Sequence, residues 1–269
     1  MSHGKQRNEK NCLNCNTALV FEQNYCSNCG QKAKTLRLDW QYIKDEVKYT
    51  ILHVNKGFFF TLKELYTRPG DTINEFIQGK RINHYKPILL LFVLAGISGF
   101  LSLQVDMNAL MQGYNSQTLN SKAMMEYNKA MTWMFSHYAL FEILALPIVS
   151  FLSWLSFKKW GYNYIENIII NCFAGGQRLV FSIISILLYL VVPKEALVKF
   201  SSITAIMTFG LTVWTYASLY KDKPRTALIL RILLFLFLLM LVFFIFLVIF
   251  TIIFMVYLIK AGIVPMPGK

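Results

Sequence analysis

The run ILLFLFLLMLVFFIFLVIFTIIFMVYLI, residues 232–259, decides the fold of this chain. It contains no charged side chain, no Gly and no Pro over 28 residues. As a helix it would measure about 42 Å at roughly 1.5 Å per residue, which exceeds the roughly 30 Å hydrocarbon core of a bilayer. Because nothing inside the run makes a turn, it predicts one tilted or protruding transmembrane helix.

Four other apolar stretches precede this run, and each is about as long as a membrane span needs or longer. We therefore expect an all-α integral membrane protein with about five transmembrane helices. The membrane domain is predicted over residues 87–260, followed by an external tail at 261–269. The predicted spans cover about 87–105, 138–157, 165–192, 200–220 and 232–259.

The first 86 residues are much richer in charge and carry four of the five cysteines. Cys12 and Cys15 form one Cys-x-x-Cys pair, and Cys26 and Cys29 form a second, which Gly30 follows. Two such pairs supply four thiolates for a closed tetrahedral site, so residues 1–34 are predicted to be a cytosolic zinc-ribbon-like module that binds structural Zn(II). Two disulfides are the alternative, which an oxidising compartment would favour.

A short basic run, Lys32, Lys34 and Arg37, lies at the end of the module and is typical of a solvated linker or of a contact with anionic lipid. It is too short to predict a nucleic-acid partner. The module itself is too small to bury a core, so we expect the metal to fold it and a protein partner to use it as a docking element.

Residues 35–86 are predicted to form an amphipathic helical collar at the membrane interface. Apolar residues recur at helical spacing over 38–54. The segments Thr61-Leu-Lys-Glu64 and Thr72-Ile-Asn-Glu75 read as capping boxes, with Pro69-Gly70 ending the first helix and Gly79 the second. Side chains near the first span are expected to contact membrane lipids, anionic ones included, or a partner. They are Arg68, Lys80, Arg81, His84, Tyr85 and Lys86.

The distribution of basic residues predicts how the bundle is oriented in the membrane. With five spans and a cytosolic amino terminus, 20 Lys and Arg lie inside and 6 outside, which agrees with the positive-inside rule. The carboxyl terminus is then external.

Polar residues inside the predicted spans are candidate functional groups, because charge is costly in a bilayer. Arg178 lies near the middle of the third span, and Glu142 is an available partner in the second. Together with Asn171 and Ser182 they form a candidate intramembrane polar site. The structural alternative is that such residues only hold the helices together.

Several motifs resemble the bacterial membrane family catalogued as domain of unknown function 3667. They are Cys12-Leu-Asn-Cys15, Tyr25-Cys-Ser-Asn-Cys-Gly-Gln31, Lys56-Gly-Phe, Thr61-Leu-Lys-Glu-Leu, Arg68-Pro-Gly, Gly79-Lys-Arg, Tyr85-Lys-Pro and Tyr162-Asn-Tyr-Ile-Glu166. The resemblance implies a multi-pass protein of the bacterial inner membrane. It implies no activity.

No metalloprotease motif, nucleophile elbow or phosphate-binding glycine loop is present, so an enzyme is not expected. The sequence favours a non-enzymatic adaptor or assembly protein with a protein partner or a second copy of itself. The alternative is a transporter or channel for an ion, lipid or small solute that uses the polar site around Arg178.

Overall fold

The computed structural model describes residues 11–19, 23–35, 37–43, 57–105, 121–193 and 196–263. Within these ranges the chain is all-helical apart from isolated β-bridges. The helices are α1 Phe58–Thr67, α2 Pro69–Gln78, α3 Pro87–Ser102, α4 Ser121–Ser136, α5 Tyr138–Phe157, α6 Tyr164–Tyr189, α7 Leu197–Leu219 and α8 Arg225–Lys260.

The predicted fold class, an all-α membrane protein with a four-cysteine amino-terminal module, is confirmed. Four helices, α5 to α8, are long and apolar enough to cross a bilayer. The first predicted span, 87–105, forms the apolar helix α3, which has only 16 residues and is about 24 Å long. The count of full-length spans is therefore four within the described residues, where the sequence predicted about five.

Helix α6 is the centre of the bundle, and α3, α5 and α7 pack around it. Gly175 and Gly176 let α3 approach closely, because a Cβ at these positions would meet Leu91 Cδ1 at 2.8 Å and Leu90 Cδ2 at 3.1 Å. Helix α8 packs against α5 and α7.

Helix α3 joins opposite ends of this bundle despite its length. The backbone N–H of Tyr85, just before it, donates to the Thr61 hydroxyl in α1 at 2.7 Å. At its other end, the Ser102 hydroxyl donates to the carbonyl of Ser136, which ends α4 just before α5 begins. The helix therefore runs from the collar to the end of the bundle where α5 starts.

The collar helices begin earlier than the sequence indicated. Both predicted capping boxes are wrong, because α1 starts at Phe58 and α2 at Pro69, with no side-chain cap at either start. Thr61 and Thr72 lie inside these helices and are buried. Gly79 does end α2, with a φ of 113°. Residues 40–43 are helical, but the rest of the helix predicted over 38–54 lies mostly outside the described residues.

Pro69-Gly70 follows directly on the end of α1 at Thr67, as predicted, and it also starts α2 and packs it against the bundle. The N–H of Gly70 donates to the Ser218 hydroxyl at 3.0 Å. A Cβ on Gly70 would overlap the backbone of Ser218 and Leu219 at the end of α7. The collar is therefore in direct backbone contact with the membrane domain.

Candidate functional site

The four cysteines of the module converge on one point. All four are free thiols, and their Sγ atoms lie within 4.8 Å of one another. The Cys12–Cys29 and Cys15–Cys26 Sγ pairs are 3.5 and 3.6 Å apart. A tetrahedral zinc site with Zn–S bonds of about 2.3 Å has sulfurs roughly 3.8 Å apart. The donor set and its spacing therefore fit a four-thiolate metal ion.

The two Cys-x-x-Cys pairs form matching turns, which we call knuckles. In each, the first cysteine donates its N–H to the residue five positions later, Thr17 in one and Gln31 in the other, at 2.8 Å. The residue after the second cysteine has a positive φ, 60° at Asn16 and 75° at Gly30. The sequence indicated this conformation only at Gly30, although Asn also tolerates it.

The thiols differ in acidity without a metal. Hydrogen bonds from Thr17 lower the pKa of Cys15 to about 6, whereas burial raises the pKa of Cys29 to about 11. Four thiolates this close would also repel one another. A bound divalent cation removes that repulsion, so metal binding would release protons.

The module is docked on the rest of the chain through Gln31, which is 4% exposed. Its side-chain amide donates to the carbonyl of Gly79 at 2.6 Å. Its amide oxygen accepts from the N–H groups of Arg81 and Ile82 at 3.0 and 3.3 Å. Leu13 of the first knuckle also lies against Gly79. The contact fixes the module onto the loop that joins α2 to α3.

Arg37 makes a second attachment, at the start of α6. Its guanidinium donates to both carboxylate oxygens of Glu166 at 2.8 and 2.9 Å and to the carbonyl of Gly161 at 3.3 Å. The pair raises the pKa of Arg37. Glu166 also completes a capping box with Asn163. Arg37 therefore belongs to a tertiary contact and not to the solvated basic run that the sequence indicated.

The predicted lipid or partner contacts of the collar mostly face inward. Tyr85 is 1% exposed and His84 is 8% exposed; neither can anchor at a headgroup layer, which corrects that prediction. Arg68 pairs with Glu64 and Glu75 within the collar.

The other basic residues of this set also have partners inside the chain. Lys80 pairs with Glu75 at 3.4 Å, and the guanidinium of Arg81 lies over the rings of Tyr42 and Phe76. Lys86 is partly buried just before α3. The exposed apolar residues of the collar are different ones: Trp40, Phe59, Phe60 and Ile82.

In the bundle, Arg178 of α6 pairs with Glu142 of α5. Nε of Arg178 donates to the Glu142 carboxylate at 3.1 Å, and the guanidinium also reaches Thr212 of α7 at 3.5 Å. The two side chains line a cavity of about 30 Å³ together with Asn171. Since a water needs roughly 10–15 Å³ on this measure, the cavity has room for two or three waters.

The remaining polar side chains of the predicted site are satisfied by neighbouring helices. Asn171 donates to the Ser153 hydroxyl at 2.9 Å and accepts from the Tyr216 hydroxyl at 3.0 Å. Ser182 bonds the Tyr138 hydroxyl, which also bonds Ser98 of α3. The structure thus brings Glu142, Asn171 and Arg178 together at one cavity. Ser182 does not line this cavity and bonds Tyr138 instead.

Sequence reasoning missed Gln177, which is fully buried beside this site. Its side chain donates to the carbonyl of Leu65 in α1 at 2.9 Å and accepts from the Thr215 hydroxyl in α7 at 2.6 Å. The signal was present, since Gln177 follows the Gly175-Gly176 pair inside an apolar span. It lies off the helix face that carries Asn171 and Arg178.

Comparison with known proteins gives one match. Residues 55–99 match the model of the family described as protein of unknown function (DUF3667). The match covers α1, α2 and most of α3, and it confirms the resemblance drawn from Arg68-Pro-Gly and Tyr85-Lys-Pro. The knuckles and residues 162–166 lie outside it. No curated protein and no solved structure matches the chain significantly.

Proposed function

We propose that this chain is a non-enzymatic adaptor or assembly protein of the bacterial inner membrane. It would use the four-cysteine module and the collar to engage a protein partner or a second copy of the chain. The module would hold structural Zn(II), the amino terminus would be cytosolic, and the carboxyl terminus external.

The observation that carries this proposal is how the polar interior is filled. Arg178 pairs with Glu142, and Asn171 is bonded on both sides. The cavity among them, at about 30 Å³, is too small for a solute larger than a few waters. Polar groups that bond each other across helices hold a bundle together. The described interior therefore resembles packing more than a pathway.

The module offers a surface for the partner. One side is covered by the collar loop through Gln31. Tyr25, in the second knuckle, is 57% exposed, and an exposed Tyr is typical of residues that anchor protein interfaces. The zinc assignment rests on the four-thiolate donor set, and the orientation rests on the distribution of basic residues.

The proposal is tested by quantitative copurification from native membranes in mild detergent. The full-length chain should enrich a specific protein that the variant Tyr25→Ala enriches at least tenfold less. Asn28→Ala, on the same knuckle, is the matched control and should retain the partner. Metal content should be unchanged in both variants. An equal yield of every protein from wild type and Tyr25→Ala would contradict the proposal.

The transporter alternative is supported by one observation, a series of polar contacts along α6. They run from Asn167 and Asn171 past Arg178 to Ser182. If this series were a pathway, purified protein in liposomes would conduct protons or small ions, and Arg178→Leu would abolish the flux while the protein still inserted. Flux equal to that of empty liposomes would exclude this alternative for the species tested.

A further inference from the structure

Gln31 belongs both to the four-cysteine module and to a contact with the collar. Gln31 is two positions after Cys29, and its carbonyl accepts the N–H of Cys26 at 2.8 Å. The backbone of Gln31 is thus part of the second knuckle. Its side chain points the other way, onto the loop between α2 and α3, with three hydrogen bonds to backbone groups of that loop.

We propose that the four-cysteine module is a metal-dependent clasp that ties the collar to the start of α6, with Gln31 and Arg37 as its two attachment residues. Gln31 holds the loop that leads into α3. Arg37 holds Glu166 in the first turn of α6. Both attachments bridge more than 40 residues of sequence, so local folding of either partner does not supply them.

The metal dependence follows from the size of the module. A segment of about thirty residues cannot bury enough apolar surface to fold without a cross-link or a metal. When the metal is removed, the turn that places Gln31 is no longer stable. The carbonyl of Gly79 and the N–H groups of Arg81 and Ile82 then lose the hydrogen bonds that the Gln31 side chain makes to them.

Removal of the metal should also weaken the attachment at Arg37. Leu38, next to it, is 1% exposed, and its carbonyl accepts from the Asn163 side chain at 3.3 Å. The segment from Gln31 to Leu38 is therefore anchored at both ends. Release of the Gln31 end leaves the Arg37–Glu166 pair, in which Arg37 is half exposed and Glu166 is buried, to hold this segment without the module behind it. The state of the metal site is thereby transmitted to the beginnings of both α3 and α6.

The clasp is tested by hydrogen exchange on the full-length protein in detergent micelles. Chelation of the metal should speed the exchange of the Arg81 and Ile82 amides on the order of tenfold, and added Zn(II) should reverse it. Amides in the centre of α5, which the clasp does not touch, should keep their exchange rates and so report an intact bundle.

Point variants separate the clasp from the fold of the knuckle. Gln31→Ala should give the same faster exchange at Arg81 and Ile82 while one metal ion per chain stays bound. Lys32→Ala, at the neighbouring exposed position, should exchange as wild type does. The clasp is refuted if chelation leaves these amides unchanged, if Gln31→Ala behaves as Lys32→Ala, or if Gln31→Ala loses the metal. None of these readouts depends on a partner, so the result is independent of the proposed adaptor role.

Discussion

The two halves of α6 have opposite surroundings. Residues 165–177 are all buried, and since they cover more than three turns, every side of the helix is enclosed there. Toward the other end, Ile184, Leu187 and Leu188 are exposed. The enclosed half is held by α1 to α3, α5 and α7, and the exposed half presents the apolar surface that acyl chains would cover.

Helix α8 extends the same contrast to the edge of the bundle. Residues 243–249 are exposed at every position, so α8 stands clear of the other described helices on all sides in this stretch. Near Phe235, by contrast, it packs on Phe157 and Tyr216. The fold is therefore organised around its collar end, where helix contacts are specific. At the other end more apolar surface is exposed, and fewer polar contacts, such as those of Tyr138 with Ser98 and Ser182, join the helices.

The largest effect is expected when the ion pair between Arg178 and Glu142 is broken, at the point where the enclosed half of α6 ends. Arg178→Leu leaves the Glu142 carboxylate without its cation inside the bundle and should destabilise the fold by about 3–5 kcal/mol. The double variant Arg178→Leu with Glu142→Leu should recover most of that stability, as measured by thermal unfolding in detergent. A double variant as unstable as the single one would mean that the pair does not act through charge.

A pair of substitutions on α6 tests the comparison directly. Ile169→Ala opens a cavity in the enclosed half, where Ile169 is 0% exposed, and should cost about 2–5 kcal/mol. Ile184→Ala, in the exposed half, should change stability by no more than about 0.5 kcal/mol. Equal losses, measured by chemical or thermal unfolding in the same detergent, would show that the halves are equally packed.

Substitutions at two glycines compare a position where two backbones touch with a position that is open. Gly70→Ala forces a Cβ into the end of α7 and should cost about 1–3 kcal/mol. Gly210→Ala, in α7, meets nothing within 4 Å and should be neutral or stabilise by up to about 1 kcal/mol. The difference in unfolding temperature between the two variants is the measurement, and a destabilised Gly210→Ala would place an unseen neighbour at that site.

The smallest expected effect is a pH dependence within the collar. Burial lowers the pKa of His84, against the charges of Glu75 and Glu64 that raise it; Arg68 and Lys80 also lower it. A depressed pKa means that the unfolded chain takes up the proton more readily, so stability should be full above about pH 6.5 and fall as the pH drops below it.

His84→Phe is the matched variant for this effect. The ring lies between Phe60 and Phe76, and His84 Nδ1 has no hydrogen-bond partner among the described residues. Phe at this position should therefore fold and should flatten the dependence of unfolding temperature on pH between 7.5 and 5.5. An unchanged slope would place the titrating group elsewhere.

Periodicity and hydropathy were sufficient for elements that depend on their own composition. The second predicted span, 138–157, matches α5 residue for residue, and the four-cysteine cluster was predicted from the spacing of the cysteines alone. The capping boxes at Thr61 and Thr72 failed because both hydroxyls have other partners, which for Thr72 is the carbonyl of Arg68 one turn back. The Thr61 hydroxyl accepts from the N–H of Tyr85, 24 positions away.

Contacts between distant segments were out of reach for the same reason. The sequence marks Arg37 as part of a short basic run and Glu166 as part of a motif, but nothing local marks them as partners across 129 positions. Arg178 and Glu142 were proposed as a pair because both are costly in a bilayer and few partners exist there. The Arg178–Glu142 pair could be predicted because few charged residues lie within the spans. The Arg37–Glu166 pair could not, because the charge-rich segment before the spans offers many possible partners.

The two knuckles share one backbone design, so to the metal they are interchangeable halves of a repeat 14 residues long. The knuckles differ in their contact with the rest of the chain. Only the second carries a long amide side chain, Gln31, at its sixth position, where the first carries Thr17. The module is therefore attached through one knuckle only. An exchange of the two knuckles would keep the four cysteines but would move the attachment residue away from the loop before α3.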